Sequence, residues 1–127
     1  MSKRFSSLSA RAESFRHAFR GLAVLFGTQP NMWIHASAAA CVVVAGFAMR
    51  LTRLEWVAIV VAIGGVWVAE AFNTALEFLA DAVSPEPHPR IGKAKDAAAA
   101  AVLVASIAAA VIGALVFLPR VLALWVP

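Results

Sequence analysis

The chain has 127 residues, which is enough for one domain and too few for a second independent core. Hydrophobic residues make up 62% of it and charged residues 14%, and the mean hydropathy is +0.83. Soluble domains hold roughly 45–50% and about 25% of these classes. A fold this small cannot hide so much apolar surface from water. The composition excludes a soluble enzyme and a disordered tail, and it predicts one all-α integral membrane domain over residues 1–127.

The basic residues give the chain a net charge of +4 and an isoelectric point of about 10.2. They are scattered around apolar runs rather than gathered on one polar surface, so no nucleic-acid partner is predicted. The single cysteine, Cys41, lies within an apolar run. An intramolecular disulfide and a cysteine metal cluster are therefore excluded.

Residues 1 to about 28 have mixed polarity and predict an amphipathic helix. Apolar residues recur there at steps of three and four, which places them on one stripe; they are Phe5, Leu8, Ala12, Phe15, Phe19, Leu22 and Phe26. The charged residues and a histidine lie off that stripe, namely Arg4, Arg11, Glu13, Arg16, His17 and Arg20. A signal peptide does not fit, because its continuous apolar segment is missing. We expect this helix to lie in the membrane surface.

Three apolar runs follow a break at residues 27–31, where Gly27 and Pro30 interrupt the helical pattern. The runs cover 32–49, 54–83 and 97–118, and Pro119 closes the third. Each is long enough to cross a hydrocarbon layer of about 30 Å. The third is rich in alanine, which allows helices to approach closely in lipid. Since three such helices enclose little volume, the sequence predicts an oligomer.

The distribution of Lys and Arg predicts the orientation in the membrane. Eight of these residues lie in the N-terminal segment or in the loop 84–96, and three lie at the opposite ends of the spans. Basic residues are enriched on the cytosolic side of membrane proteins. We therefore predict that the N-terminus and the loop 84–96 are cytosolic.

The second apolar run carries its acids in its last third, on one helical face. At about 100° per residue, four polar residues fall within roughly 80° of one another; they are Glu70, Asn73, Glu77 and Asp81. A charge in the bilayer core costs at least about 2.5–3.5 kcal/mol, so such residues are seldom kept for packing alone. A solvated extension of the helix would account for Asp81 and Glu77 but not for Glu70.

Depth along the helix separates the two glutamates of this polar face. If Glu55 marks the outer boundary, Glu70 lies about 22 Å further along the helix at about 1.5 Å per residue. That position is inside the hydrocarbon, just below the cytosolic headgroups. Glu77 lies about 33 Å from Glu55, in the inner interface. We predict that Glu70 meets a lipid hydroxyl as a general base, and that Glu77 meets a water-soluble anion and its metal.

The loop after this helix has the composition of a phosphate environment. Prolines at 85, 87 and 89 predict that residues 84–90 are not helical. Lys93 and Lys95 follow, and Asp96 is predicted to cap the third span. Free N–H groups and a lysine at a helix start attract phosphate. The sequence has neither a Walker A motif nor a Gly-rich kinase loop.

The pattern Glu-x-x-Asn-Thr-Ala-Leu-Glu-x-x-x-Asp over 70–81, with Lys-Asp and an alanine run over 95–102, resembles the prokaryotic diacylglycerol kinase family. That family includes the undecaprenol kinases. The resemblance runs from about Phe15 to Pro119. Four features are more similar to the undecaprenol kinase branch than to the enterobacterial branch: Asn31, His35, Glu55-Trp56 and His88-Pro89.

The resemblance implies a homotrimeric enzyme of the bacterial cytoplasmic membrane, with one surface helix and three spans per subunit. Such an enzyme transfers the γ-phosphate of magnesium-bound ATP to a lipid alcohol, undecaprenol or diacylglycerol. Glu70 matches the family's general base, and Glu77 matches a carboxylate that binds the magnesium ion. Asn31 matches a position that, with Glu70, contacts the lipid. The positions that hold ATP match Asn73, Glu86, His88, Lys95, Asp96 and, more loosely, His17.

One position departs from the family pattern. The family usually has a second metal-binding glutamate before the first span, and here that position is Gln29. An amide oxygen can coordinate magnesium but brings no charge. The alternative is that Gln29 only caps the break at Pro30.

Two other classes of membrane protein compete with a kinase. Buried acids also mark the paths of small ion-conducting, proton-conducting or transport proteins, and an alanine-rich helix suits a holin-like protein or a scaffold. A channel needs polar residues along the full depth of a span, and residues 56–69 provide none. A scaffold has no use for Glu70. The predicted function is therefore phosphorylation of a lipid alcohol.

Overall fold

The computed structural model describes residues 8–125, which form four α-helices. They are α1 (Leu8–Thr28), α2 (Pro30–Ala48), α3 (Arg53–Val83) and α4 (Pro89–Ala123). The last three are each long and apolar enough to cross a membrane, which makes the chain a multi-pass membrane protein. The part of the predicted surface helix over 1–7, including Arg4 and Phe5, lies outside the described residues.

The break between α1 and α2 is narrower than the sequence indicated, because Gln29 is the one residue between the two helices. Pro30 is the first residue of α2, a position where the missing N–H of proline costs nothing. Phe15 and Phe19 of α1 are exposed, and Leu25 is its one buried residue. The contact of that apolar stripe with a membrane surface stays a prediction.

The turn from α2 to α3 is short and tightly hydrogen-bonded. The N–H of Leu51 donates to the carbonyl of Gly46 at 3.1 Å, and that of Arg50 donates to Phe47 at 3.2 Å. This is a Schellman cap, and Arg50 takes the left-handed conformation it requires (φ 52°). Gly46 is needed here, because a Cβ on it would lie 2.8 Å from the ring of Trp56.

The first turn of α3 is fastened to the last turns of α4. Thr52 and Glu55 form a capping box. Arg120 Nη2 donates to Glu55 Oε2 at 2.8 Å, and Arg120 Nη1 donates to Glu55 Oε1. Arg120 Nη1 also donates to the carbonyl of Val116 at 3.2 Å. α4 continues past Pro119 and ends at Ala123. The prediction that Pro119 closes the third span therefore places the end of the helix four residues too early.

The start of α4 corrects two expectations. Residues 84–88 are non-helical, as predicted. The helix begins at Pro89, so Pro89 and Arg90 are helical, against the prediction. His88 is the N-cap, and its Nδ1 accepts a hydrogen bond from the N–H of Arg90 at 3.2 Å. Proline at the first helical position is already in the helical φ range. Asp96 therefore lies two turns inside α4, and the prediction that it caps this helix is wrong.

The packed core is small and lies toward the Glu55 end of α3. Leu51, Ile59 and Val116 are its buried residues, and α3 packs more extensively on α4 than on α2. Most large apolar side chains of α2, α3 and α4 remain exposed. A surface of this composition suits lipid or other subunits rather than water.

Candidate active site

The polar face predicted on α3 faces inward in the structure. Glu70, Asn73 and Thr74 are 2%, 9% and 1% exposed, and they are the buried polar residues of the described chain. Glu77 is half-buried, and Asp81 is exposed. A buried polar or charged group needs a partner to offset its lost hydration. The partners of each group therefore show which of its atoms are still available to a substrate or a metal ion.

Glu70 has a partner from α2. His35 Nε2 lies 3.1 Å from Glu70 Oε1, and the His35 side chain is 20% exposed. Within residues 8–125 this is the one hydrogen bond of the Glu70 side chain. The second carboxylate oxygen is therefore available to accept a proton or a hydrogen bond.

Asn73 and Glu77 form a second pair one turn further along α3. Asn73 Nδ2 donates to Glu77 Oε1 at 3.1 Å. Asn73 Oδ1 is buried and accepts no hydrogen bond from the described residues. The pair presents an amide oxygen and a carboxylate, both hard oxygen donors of the kind that magnesium prefers.

Two cavities meet at His35 and Ser106. The first holds about 320 Å³ and is lined by Asn31, His35 and Glu70 together with residues of α4. The second is an apolar groove of about 270 Å³ between α2, α3 and α4, whose lining includes Ala38, Ile63, Val66 and Gly113. Glu70 therefore lies where a cavity with polar residues in its lining adjoins an apolar groove. Asn31 lines the same cavity as Glu70, and its contact with the lipid stays a prediction.

A third polar contact joins α3 to α4 at the exposed end of the site. Lys95 Nζ donates to Asp81 Oδ1 at 2.9 Å. Lys95 is half-buried, whereas Asp81 is exposed. Asp81 therefore fixes the position of the lysine that the sequence placed near phosphate.

The remaining candidates are not joined to Glu70 or Glu77 by any hydrogen bond or ion pair between described side chains. Gln29 occupies the N-cap position of α2, but its side chain makes no capping hydrogen bond. Glu86 and His88 are exposed in the segment before α4. His17 is exposed on α1, with its Nε2 3.9 Å from Glu13. Asp96 is exposed on α4.

Two residues of this site, His35 and Thr74, are given no role by the sequence analysis. His35 is a feature of the family resemblance without a role there, although a histidine within an apolar span is itself a signal of function. Thr74 lies beside Asn73, and its buried Oγ1 has no partner in the described part of the chain. Thr74 is part of the motif at 70–81, but the sequence predicts no role for it.

The sequence of the chain can be compared with those of known proteins. Residues 16–117 match the sequence profile of the family described as prokaryotic diacylglycerol kinase. The chain belongs to this family. It is 42% identical over 108 residues to the undecaprenol kinase of Bacillus subtilis, a match that covers 85% of this chain and 88% of that protein.

A second relative is the diacylglycerol kinase of Synechocystis sp. It is 36% identical over 114 residues, which cover 89% of this chain and 65% of that protein. Family membership and these two relatives make the chain a lipid kinase. The resemblance drawn from the motif at 70–81 is confirmed.

Proposed function

We propose that this lipid kinase transfers the γ-phosphate of ATP to the hydroxyl of a membrane lipid alcohol, undecaprenol or diacylglycerol, with Glu70 as the general base. The observation that carries the proposal is the place of Glu70. Its side chain is buried, with 2% of the residue exposed, it lines a cavity with Asn31, His35 and Ser106, and that cavity adjoins an apolar groove. A lipid alcohol has the matching shape, with one polar end and a long apolar chain.

The proposed reaction forms one bond and breaks one. The lipid oxygen forms a bond to the γ-phosphorus as the bond from that phosphorus to the bridging oxygen breaks. The electron pair of the broken bond stays with ADP, and the hydroxyl proton passes to Glu70. Phosphoryl transfer depends mainly on positioning and charge stabilisation, and a base in contact with the hydroxyl contributes about 10²–10⁴-fold.

The described residues fit a magnesium ion that is shared with ATP. Among them there is no group of three His, Cys, Asp or Glu that could hold a metal alone. Glu77 and the unpartnered Oδ1 of Asn73 supply two adjacent oxygens, and magnesium in kinases is held by one or two carboxylates plus substrate phosphates. When bound, the ion would neutralise phosphate charge. We assign Glu77 to this ion and propose Gln29, whose side chain makes no capping hydrogen bond, as a further, neutral ligand.

The ATP contacts follow from the family resemblance together with the positions above. Asn73 belongs to the polar face of α3. Lys95 donates a hydrogen bond to Asp81 of the same face and offers positive charge to the phosphates. The other residues proposed to hold the nucleotide are Glu86, His88, Asp96 and His17.

The membrane setting completes the proposal. The excess of Lys and Arg at the N-terminus and in the loop 84–96 favours a cytosolic site in the bacterial inner membrane. We also propose a homotrimer. Its support is the family resemblance, together with the large apolar surface that the helices of the single chain leave exposed.

The experiment is a phosphorylation assay on purified protein. ATP labelled in the γ-phosphate is supplied with undecaprenol and with diacylglycerol in separate, matched lipid mixtures. We expect magnesium-dependent transfer of label to at least one lipid, and the ratio of kcat/KM values identifies the preferred acceptor. Label that leaves ATP only as free phosphate in both mixtures would refute the proposal.

A further inference from the structure

We propose that His35 is a positioning residue, which holds one carboxylate oxygen of Glu70 by a hydrogen bond and leaves the other oxygen open to the lipid hydroxyl. This inference rests on the proposed role of Glu70 as the base. It concerns a residue on a different helix, which neither the motif at 70–81 nor family membership assigns.

The geometry places the two side chains in direct contact. His35 lies on the second turn of α2, and its Nε2 is 3.1 Å from Glu70 Oε1. Asn31 lies four residues earlier, hence on the same face of α2, and lines the same cavity. One face of α2 therefore presents both residues to Glu70.

The direction of the hydrogen bond follows from the chemistry of a base. A charged carboxylate has no proton to donate, so the hydrogen between the two groups must belong to His35 Nε2. Hydrogen bonds to charged groups are stronger than those between neutral ones, and the carboxylate in this bond is 2% exposed, so the bond fixes where that carboxylate lies.

Within residues 8–125, no Lys, Arg, Asp or Glu side chain is paired with Glu70. The cavity residues from α4 are Ala99, Val102, Leu103 and Ser106, none of which is charged. On α3 the nearest charged group in sequence is Glu77, whose Oε1 is already bonded to Asn73. Among the described residues, His35 is therefore the group that offsets the burial of this carboxylate.

A histidine suits this task better than an arginine would. Arg120 donates hydrogen bonds to both carboxylate oxygens of Glu55, so neither oxygen of that acid is left without a partner. His35 engages Oε1 of Glu70 alone, and Oε2 remains to accept the hydroxyl proton as the lipid oxygen bonds to phosphorus. His35 keeps its own proton throughout this step.

The test is a double-mutant cycle between His35 and Glu70 in the purified full-length chain. His35→Leu removes the donor and is expected to lower kcat about 10–100-fold, with the KM for ATP within about twofold of wild type. In the Glu70→Gln background the same change is expected to alter kcat by less than about twofold, because residues that act as a unit are not additive.

A conservative variant and a matched control separate positioning from folding. His35→Gln keeps an N–H donor, and we expect its kcat to lie within about fivefold of wild type. Ser37→Ala changes an exposed polar residue of the same helix and is expected to leave kcat unchanged. Helical content by circular dichroism is measured for every variant, and rates are expressed per folded protein.

Three outcomes would overturn the inference, and one of them also overturns the proposed function. If Glu70→Gln keeps near-normal turnover, the base assignment and the role of His35 both fail. If Glu70→Gln is inactive but folded His35→Leu keeps its kcat, the inference about His35 alone fails. If the two losses simply add, His35 acts on folding or packing and not through Glu70.

Discussion

The two ends of α3 carry acids in contrasting surroundings. Near its start, Glu55 accepts hydrogen bonds on both carboxylate oxygens, from Arg120 and from the backbone N–H of Thr52 at 2.7 Å. In its second half, Glu70 shares one hydrogen bond with a described residue, His35. The buried Asn73 Oδ1 and Thr74 Oγ1 have none to the described residues.

This difference separates an acid that stabilises the fold from acids that are available for chemistry. A buried polar atom without a partner costs about 1–3 kcal/mol, so unused donors and acceptors in a packed site need an explanation. The start of α3, around Glu55, has no such unpartnered atom among the described residues, and its ion pair with Arg120 joins α3 to α4. The second half of α3, around Glu70, has oxygen atoms without partners, which can bind substrates.

The largest effect is expected at Glu70. Glu70→Gln keeps the size of the side chain and its hydrogen bonding but cannot take up a proton. Turnover should fall by about 10²–10⁴-fold while helical content stays the same. Steady-state transfer of labelled phosphate checks this, with Glu55→Gln as the control. A folded Glu70→Gln variant with near-normal turnover would remove Glu70 from the mechanism.

Substitution of Glu77 is expected to weaken the binding of magnesium. Glu77→Gln removes the charged oxygen next to Asn73, so the magnesium concentration that gives half-maximal rate should rise about tenfold. The KM for the lipid should change much less. Glu55→Gln, at the other end of α3, serves as the control. A magnesium titration identical to that of wild type would exclude Glu77 from the site.

The Glu55 end should respond in stability instead of in rate. Glu55→Gln weakens the ion pair with Arg120 and the capping box with Thr52, so the thermal midpoint in detergent should drop by a few degrees, about 3–6 °C. Turnover per folded protein should match wild type. A large loss of kcat at unchanged midpoint would contradict the contrast between the two ends.

The smallest effect is expected at Gln29, where the chain departs from its family. Gln29→Glu restores a charged oxygen, and magnesium should then bind a few-fold more tightly because hard cations favour carboxylates. Gln29→Ala should shift the magnesium titration the other way. Turnover of the Gln29→Glu variant depends on how fast MgADP leaves, so the titration midpoint is the quantity to compare. If both variants titrate like wild type, Gln29 is not a ligand.

The sequence predicts the helices well where hydrophobic patterning decides them. The runs at 32–49 and 54–83 agree with α2 and α3 to within two residues at each end. The predicted start of the last helix is wrong because three closely spaced prolines argue against helix when only the sequence is considered. Pro89 instead occupies the first helical position, where proline is favoured.

The site was predictable along α3 and not across the helices. Glu70, Asn73 and Glu77 share a face by periodicity alone, which the sequence contains. The contacts of Glu70 with His35, of Asp81 with Lys95 and of Glu55 with Arg120 span 35, 14 and 65 residues. Such pairs depend on how helices pack, and helical periodicity within one segment carries no information about that.

The central claim is that the lipid hydroxyl meets Glu70, and photo-crosslinking tests it most directly. A lipid alcohol with a diazirine next to its hydroxyl is irradiated with the wild-type protein in a bilayer, and the labelled peptides are identified by mass spectrometry. We predict labelling of cavity residues such as Asn31, Leu103 and Ser106, suppressed by an excess of undecaprenol or diacylglycerol. Labelling confined to the Glu55 end, around Thr52 and Arg120, would contradict the account.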